Sequence, residues 1–394
     1  MKLAIEGGNP VRKSLLPYGQ QWIDGADISA VITTLESNYI TQGPIIAEFE
    51  QAVANYVGAK YAVAFCNGTA ALHAACFAAD ITAGDEVITS PITFLASSNS
   101  VLYQGGIPVF ADIKSDTYNI DPNEIRAKIT PHTKAIIAVD FSGQPAEMDE
   151  IIRIAEDHGL VVIEDAAHSL GADYDGCKVG ALANMTMFSF HPVKHITSGE
   201  GGIITTNSKD YFDKLQLFRS HGMTKDPSKL LQNDGPWYYE MQELGYNYRI
   251  TDIQAALGLS QMRKLTSFVE RRREIVATYQ NAFEHVEGII TPFQHYKSNS
   301  SWHLYILRFV NGYLKKSRKE VFEALKAENI GVNVHYIPVY NQPYYQKLGY
   351  QIGQCTQAEK YYEEAITLPL FPKMADQDIQ DVISAVLKVY QAYK

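Results

Sequence analysis

Hydrophobic residues in the first two thirds of the chain fall into short continuous runs, separated by segments with helical spacing. Tyr61 to Cys66 (YAVAFC), Glu86 to Thr89, Pro108 to Ala111, Ala135 to Asp140 and Leu160 to Glu164 read as strands. Between them, Thr69 to Ala79, Phe94 to Tyr103 and Glu147 to Asp157 have helical composition. Strands that are apolar throughout have both faces covered, and strand–helix alternation joins them in parallel. Met185 to Phe190 and Gly202 to Thr206 add two more runs without a helix between them. That pair predicts an antiparallel element in a mixed, mostly parallel sheet.

Pro44 stands where a helix can start, and Phe49, Val53 and Tyr56 recur at helical spacing behind it. Thr224 to Trp237 is rich in Asp, Lys, Asn, Gly and Pro and reads as an exposed loop. From Thr251 to about Phe283 the pattern is helical and increasingly charged. We expect a domain change there: 1–262 as a large domain with an N-terminal segment, 263–394 as a smaller α+β domain. The smaller unit should hold strands near His303 to Phe309 and Gly331 to His335, a helix near Arg318 to Ala327, and a C-terminal helix. A length of 394 residues, 46% of them hydrophobic, suits two cores better than one.

The net charge of −10, with no long basic run, leaves no patch for neutralising a nucleic-acid backbone. Any phosphate this chain holds is expected to belong to a small molecule. No apolar run is long enough to span a bilayer, and the first residues carry no apolar leader, so we expect neither membrane nor export. Cys66, Cys76, Cys177 and Cys355 show no paired CxxC spacing, which points to reduced thiols in a cytoplasmic protein and to no metal.

Chemistry concentrates in two stretches. Glu164-Asp165-Ala166-Ala167-His168 ends an apolar strand, and Ser189-Phe190-His191-Pro192-Val193-Lys194 leads into a cluster containing Gly199, Gly201 and Gly202. A lysine forms an imine only after losing its proton, which needs a partly buried setting. Val193, Ile196 and the Met185 to Phe190 run supply one, although a lone lysine is ordinarily a solvated surface residue. Asp165 lies where ligand sites of open α/β sheets lie, beyond the carboxyl end of a strand; it is equally good capping chemistry for a helix.

An amine for an aldehyde and an acid for a pyridine nitrogen are what pyridoxal 5′-phosphate (PLP) requires. Asn67-Gly68-Thr69-Ala70 sits between a strand and a helix, where free N–H groups hold phosphate or simply make a capped turn. The hydroxyls of Thr69 and Ser189 could add to such a cradle. Phe94 could stack on the pyridine or be an ordinary core aromatic. A G-x-G-x-x-G fingerprint is missing, and Gly171 to Lys178 (GADYDGCK) matches a P-loop only loosely. His191 and His195 have i, i+4 spacing, but Pro192 and the missing Glu argue against a zinc helix.

With these residues in view, the chain resembles the DegT/StrS family of PLP-dependent sugar aminotransferases over nearly its whole length. The segments that carry the resemblance are Ile40-Thr41-Gln42-Gly43-Pro44, Asn67 to Leu72, Glu164 to His168, Ser189 to Lys194, Glu200-Gly201-Gly202, Arg219 to Gly222 and Gly245-Tyr246-Asn247-Tyr248-Arg249. The resemblance implies the aspartate aminotransferase-type α/β fold (fold type I). It makes Lys194 the catalytic lysine that condenses with the cofactor. It places Asp165 at the ring nitrogen and His168 near the ring hydroxyl, and sets Gly68, Thr69 and Ser189 around the phosphate.

It also implies that Asn247 reaches the phosphate of a neighbouring subunit's cofactor, hence a homodimer. Tyr18, Asn38, Tyr39, Ile40, Thr41, Asn333, Val334, His335 and Tyr336 would serve the substrate. Within the family, Ser189 to Lys194 (SFHPVK), Leu217 to Met223 (LFRSHGM), Ile253 to Gln261 and Val334 to Tyr336 are most similar to the branch working in pseudaminic acid biosynthesis. That likeness implies transfer of an amino group from L-glutamate to C4 of a UDP-linked 4-keto-6-deoxy-N-acetylhexosamine, the cofactor alternating between PLP and pyridoxamine phosphate (PMP). Amination of another nucleotide keto-sugar, such as a dTDP-sugar, and a non-catalytic PLP-fold regulator are the alternatives.

Overall fold

The computed structural model describes residues 2–394. The large sheet has seven strands: β1 (Tyr61–Phe65), β2 (Glu86–Thr89), β3 (Ile107–Phe110), β4 (Thr133–Val139), β5 (Val161–Asp165), β6 (Met185–Ser189) and β7 (Gly202–Thr206). Their spatial order is β1-β7-β6-β5-β4-β2-β3. β7 runs antiparallel to both its neighbours, and all other pairs are parallel. The expected mixed, mostly parallel sheet is therefore present, with the expected strand as its antiparallel member. Because only β7 is reversed, β1, β6 and β5 end on one edge, and Gly202 opens β7 on that same edge between Phe65 and Ser189.

Helices cover both faces, which is why the strands are apolar throughout. Helix α1 (Pro44–Val57), begun by its proline, presses Phe49, Val53 and Val57 against Ala62, Ala64 and Phe188. On the opposite face α2 (Gly68–Ala78) buries Ala71, Leu72, Ala74 and Ala75 against Val63, Ile137, Ile163 and Met187. Helix α3 (Ala96–Tyr103) follows β2 and packs beside α2. From α4 (Met148–His158), Met148, Ile151, Ile154 and Ala155 meet Ile136, Ala138 and Val162. Thr224 to Trp237 is the connection inside a two-stranded ribbon, Met223–Thr224 with Glu240–Met241. Gly171 to Lys178 is no phosphate loop: it forms a small hairpin in which Asp173 and Tyr174 pair with Lys178 and Cys177.

The C-terminal sheet is β8 (Ile289–Ile290), β9 (Tyr305–Phe309) and β10 (Ala365–Leu368), antiparallel, in that order. Its third strand is not the expected Gly331 to His335. That segment makes a single bridge, with Asn333 exchanging backbone bonds with Thr367. Asn333 Oδ1 then accepts the Val334 N–H at 2.8 Å, and Tyr361 Oη donates to the His335 carbonyl at 2.6 Å. Side chains thus take the two groups that would carry a ladder on past that bridge.

The long helix α5 (Leu265–Phe283) joins two cores. Leu265, Phe268 and Val269 pack with the large sheet, whereas Ile275, Val276, Tyr279 and Phe283 pack with the C-terminal sheet. Leu3 and Leu16, from the start of the chain, sit in that second core. Between the halves, Arg272 is buried and donates from Nη1 to the carbonyls of Trp302, His303 and Leu370 at 2.9–3.2 Å. No helix of the described residues is long and apolar enough to cross a membrane.

Candidate active site

A cavity of about 960 Å³ opens at the edge where β1, β5 and β6 end. It is lined by Lys194 and Asp165, by Gly68, Thr69 and Ser189, and by Phe94 and His168. Tyr18, Asn333, Val334, His335 and Tyr336 line its other side. These twelve residues, all singled out from sequence, thus meet in one place from six separate segments. Asn38, Tyr39, Ile40, Thr41 and Asn247 do not line it; all five are exposed. Asp252 anchors the first segment across the surface, its N–H bonding the Ile40 carbonyl and its carboxylate accepting from Gly43. Asn247 bridges Ser220.

One end of the cavity is built by the turn from β1 into α2. Asn67 caps the helix, its Oδ1 accepting the Ala70 N–H at 2.8 Å. The N–H groups of Gly68 and Thr69 belong to the first turn and have no helical carbonyl to reach. The dipole of an 11-residue helix adds positive potential there. Space is tight. A Cβ on Gly68 would touch Met187 Sδ and Ser189 Cβ at 3.4 Å, and one on Gly202 would strike the Asn67 carbonyl at 2.6 Å. Glycine at 202 lets β7 lie against the turn, and glycine at 68 leaves its backbone open to a phosphate.

Asp165 points into the cavity from the last position of β5. Its Oδ2 accepts from Ser97 Oγ at 2.6 Å and its Oδ1 from the Ala167 N–H at 3.2 Å, so the carboxylate both caps the following turn and faces the site. Burial pushes its pKa up, against the pull of Ser97, Ala167 and Lys194. A protonated pyridine nitrogen is the partner that would return such a buried acid to its charged form.

Lys194 follows β6 in a turn closed by its own N–H on the His191 carbonyl. Removal from water lowers its pKa to about 8; Asp165 opposes that shift and Arg272 adds to it. A useful fraction of the amine is therefore free near neutrality. His168 stands beyond Asp165, its Nδ1 accepting the Ser142 N–H at 3.3 Å and its Nε2 facing Tyr336 Oη at 3.3 Å. Burial first, then Lys194, keeps it neutral. Phe94 is 59% exposed, a large apolar face open to the cavity rather than a core residue.

The residues present fit PLP: an amine with a lowered pKa, a buried acid, an exposed aromatic face and a donor-rich phosphate turn share one cavity. Sequence reasoning missed Ser97, Tyr248 and His303. Ser97 lies 68 positions before the acid it holds, a separation no motif spans. Tyr248 lines the cavity from within one of the family-like segments, its carbonyl accepting the Cys66 N–H at 2.8 Å. His303 has no pattern around it that marks a site.

Fold and site together define a PLP-dependent sugar aminotransferase. The chain belongs to the DegT/DnrJ/EryC1/StrS aminotransferase family, whose model matches residues 21–387. It is 44% identical over 377 residues to the spore coat polysaccharide biosynthesis protein SpsC of Bacillus subtilis, covering 95% of this chain and 97% of that one. It is 39% identical over 388 residues to the UDP-4-amino-4,6-dideoxy-N-acetyl-beta-L-altrosamine transaminase of Campylobacter jejuni, covering 96% and 100%. The solved structure of Helicobacter pylori PseC, an aminotransferase involved in the biosynthesis of pseudoaminic acid, superposes with a TM-score of 0.90 at 33% identity, covering 97% and 100%. Spr1654 of Streptococcus pneumoniae, solved in its PMP form, gives 0.90 at 32% identity, covering 96% and 99%.

Proposed function

We propose that this enzyme moves an amino group from L-glutamate to C4 of a UDP-linked 4-keto-6-deoxy-N-acetylhexosamine, with Lys194 as its catalytic residue. The observation that carries the reading is the pairing, in one cavity, of a lysine held near pKa 8 with a buried acid. PLP, when bound, supplies an aldehyde for the amine and a ring that accepts electrons from the carbon losing its proton. Asp165, tethered by Ser97 and Ala167, would keep a proton on the ring nitrogen. Gly68, Thr69 and Ser189 would hold the phosphate, Phe94 would cover the ring, and His168 would stand by the ring hydroxyl. Lys194, as free amine, would take the proton from Cα of the amino donor and return it at the cofactor's C4′.

On the sugar side, Tyr18, Asn333, Val334, His335 and Tyr336 line the cavity wall, where they would meet the substrate. Asn38 to Thr41 and Asn247, exposed on one chain, would complete the site of a neighbouring copy in a homodimer. The exposed Trp237, Met241 and Leu244 offer apolar surface for such a contact. We place the enzyme in the cytoplasm, where free thiols and nucleotide sugars coexist with PLP.

The likeness to the altrosamine transaminase supports the UDP-sugar. The spore coat polysaccharide protein is more similar still and its name specifies no nucleotide, which keeps another keto-sugar, such as a dTDP-sugar, as the competitor. Purified enzyme with glutamate and a panel of UDP- and dTDP-linked 3- and 4-keto sugars separates the two. The UDP-4-keto sugar should give the highest kcat/KM; a dTDP-sugar turned over faster would replace it.

A further inference from the structure

Two buried imidazoles of the cavity wall differ in what their hydrogen bonds leave over. The amide of Asn333 is fixed by its Oδ1 on the Val334 N–H, which turns its NH2 toward His335 Nε2 at 3.3 Å. The hydrogen of His335 is then on Nδ1 and goes to Thr367 Oγ1 at 2.8 Å, so both nitrogens are used inside the wall. His168 is placed otherwise. Its Nδ1 meets the Ser142 N–H at 3.3 Å. A backbone N–H can only donate, so the lone pair is on Nδ1 and the neutral ring carries its hydrogen on Nε2. That hydrogen faces Tyr336 Oη at 3.3 Å.

The consequence falls on Tyr336. Its oxygen receives the His168 hydrogen, so its own hydrogen cannot return to that ring and has no other partner among the described residues. The Tyr336 ring stands 6.3 Å from that of Phe94 and, edge-on, 6.2 Å from that of Phe141. Tyr336 is half-buried and lines the cavity, which is the open direction left for the O–H. The far end of the chain is rigid. Ser142 has a left-handed backbone (φ 64°), uncommon for a residue with a Cβ. Two bonds to Leu304 keep it there: its Oγ donates to that carbonyl at 2.8 Å, and its own carbonyl accepts the Leu304 N–H at 3.2 Å.

We infer that His168 is a positioning residue for Tyr336: the chain Ser142–His168–Tyr336 fixes the phenol as a hydrogen-bond donor into the cavity, where it serves the keto oxygen of the sugar. The inference rests on the reading of this cavity as a keto-sugar aminotransferase site. A ketone oxygen only accepts, so a hydroxyl that can only donate suits it. Negative charge grows on that oxygen when its carbon is attacked, and a donor already aimed there lowers the barrier. Tyr336 keeps its hydrogen throughout this role. Burial, then Lys194, keeps the imidazole neutral, and burial holds the phenol protonated.

Two measurements on the full-length enzyme test it. The first needs no sugar. NMR of isotope-labelled histidine should show the His168 ring with hydrogen on Nε2 and none on Nδ1; its signals are those lost in His168→Gln or His168→Asn, whichever melts like wild type. The opposite tautomer overturns the inference. The second is single turnover of the PMP-loaded enzyme with the keto-sugar that wild type uses best. Tyr336→Phe should lose roughly 10²-fold in rate, and His168→Leu roughly tenfold. His168→Gln, whose amide can accept from Ser142 and donate to Tyr336, should recover most of the leucine variant's loss. In the Tyr336→Phe background, His168→Leu should cost less than about twofold more. Losses that multiply, or a fall in PMP affinity by equilibrium dialysis that matches the fall in rate, overturn the inference and assign His168 to the cofactor. Failure of the underlying reading is a separate result: wild-type enzyme that aminates no nucleotide keto-sugar, whatever the tautomer.

Discussion

Glu164 and Asp165 are adjacent carboxylates on one strand, and alternation sends them to opposite faces of the sheet. Both are buried, and burial raises the pKa of each. Asp165 opens onto the cavity, with Lys194 nearby and room for a cationic ring. Glu164 lies in a sealed layer beside Asp140, with Thr186 Oγ1 donating to its Oε2 at 2.8 Å. Asp140 is held by Ser169 Oγ at 2.6 Å and the Ala146 N–H at 3.0 Å. No cation among the described residues pairs with Glu164 or Asp140, so the two cannot both be charged and share a proton. The same desolvation prepares a ligand site on one face and a neutral structural pair on the other; what differs is whether a positive charge can arrive.

Substitutions sharpen that contrast. Lys194→Ala removes the amine the cavity face is built around, so turnover should fall by at least ~10³-fold while the melting temperature holds; stopped-flow assays against wild type check it. Asp165→Asn keeps the shape but not the charge, and should bind PLP while losing roughly 10²-fold or more in kcat. Unchanged kcat in that variant removes the acid from the mechanism.

Glu164→Gln should leave kcat nearly unchanged and act on stability instead. Glu164 is raised from 4.5 to about 7 in the fold, so the folded state holds a proton the unfolded chain has released. Wild-type stability therefore falls as pH rises from 4.5 to about 7 and stays low above. The glutamine variant lacks that slope, and should gain on wild type by on the order of 2 kcal/mol between about pH 5 and about pH 8 in urea unfolding. A gap independent of pH would mean Glu164 is already charged.

Ser97→Ala deletes one hydrogen bond to Asp165 and leaves a cavity-facing acid partly unsatisfied. A loss of roughly tenfold in kcat is expected, smaller than that of Asp165→Asn. An equal loss would mean that Ser97 acts on its own account.

Much of the site is readable along the chain because its parts lie at the ends of strands that announce themselves. Asp165 closes an apolar run, and Gly68 follows another, so both fall on the edge where such sheets hold ligands. Other parts are not. Ser97 and Asp165 meet because α3, which rests mainly on α2, β2 and β3, begins at the edge where β5 ends. The Gly331 to His335 segment reads as a strand because its alternation is real, but beyond the Asn333–Thr367 bridge side chains take the Val334 N–H and the His335 carbonyl.

Strand–helix alternation, the reversed strand, and the lysine and acid of the site can all be read along the chain, because local periodicity and strand ends carry that information. Other features arise only on packing: the first residues of the chain enter the C-terminal core, Ser97 holds Asp165, and His303 Nδ1 stands without a partner in the wall it shares with Lys194. Those are relations between distant segments, and their physical cause, the mutual fit of packed layers, is written in no short stretch of residues.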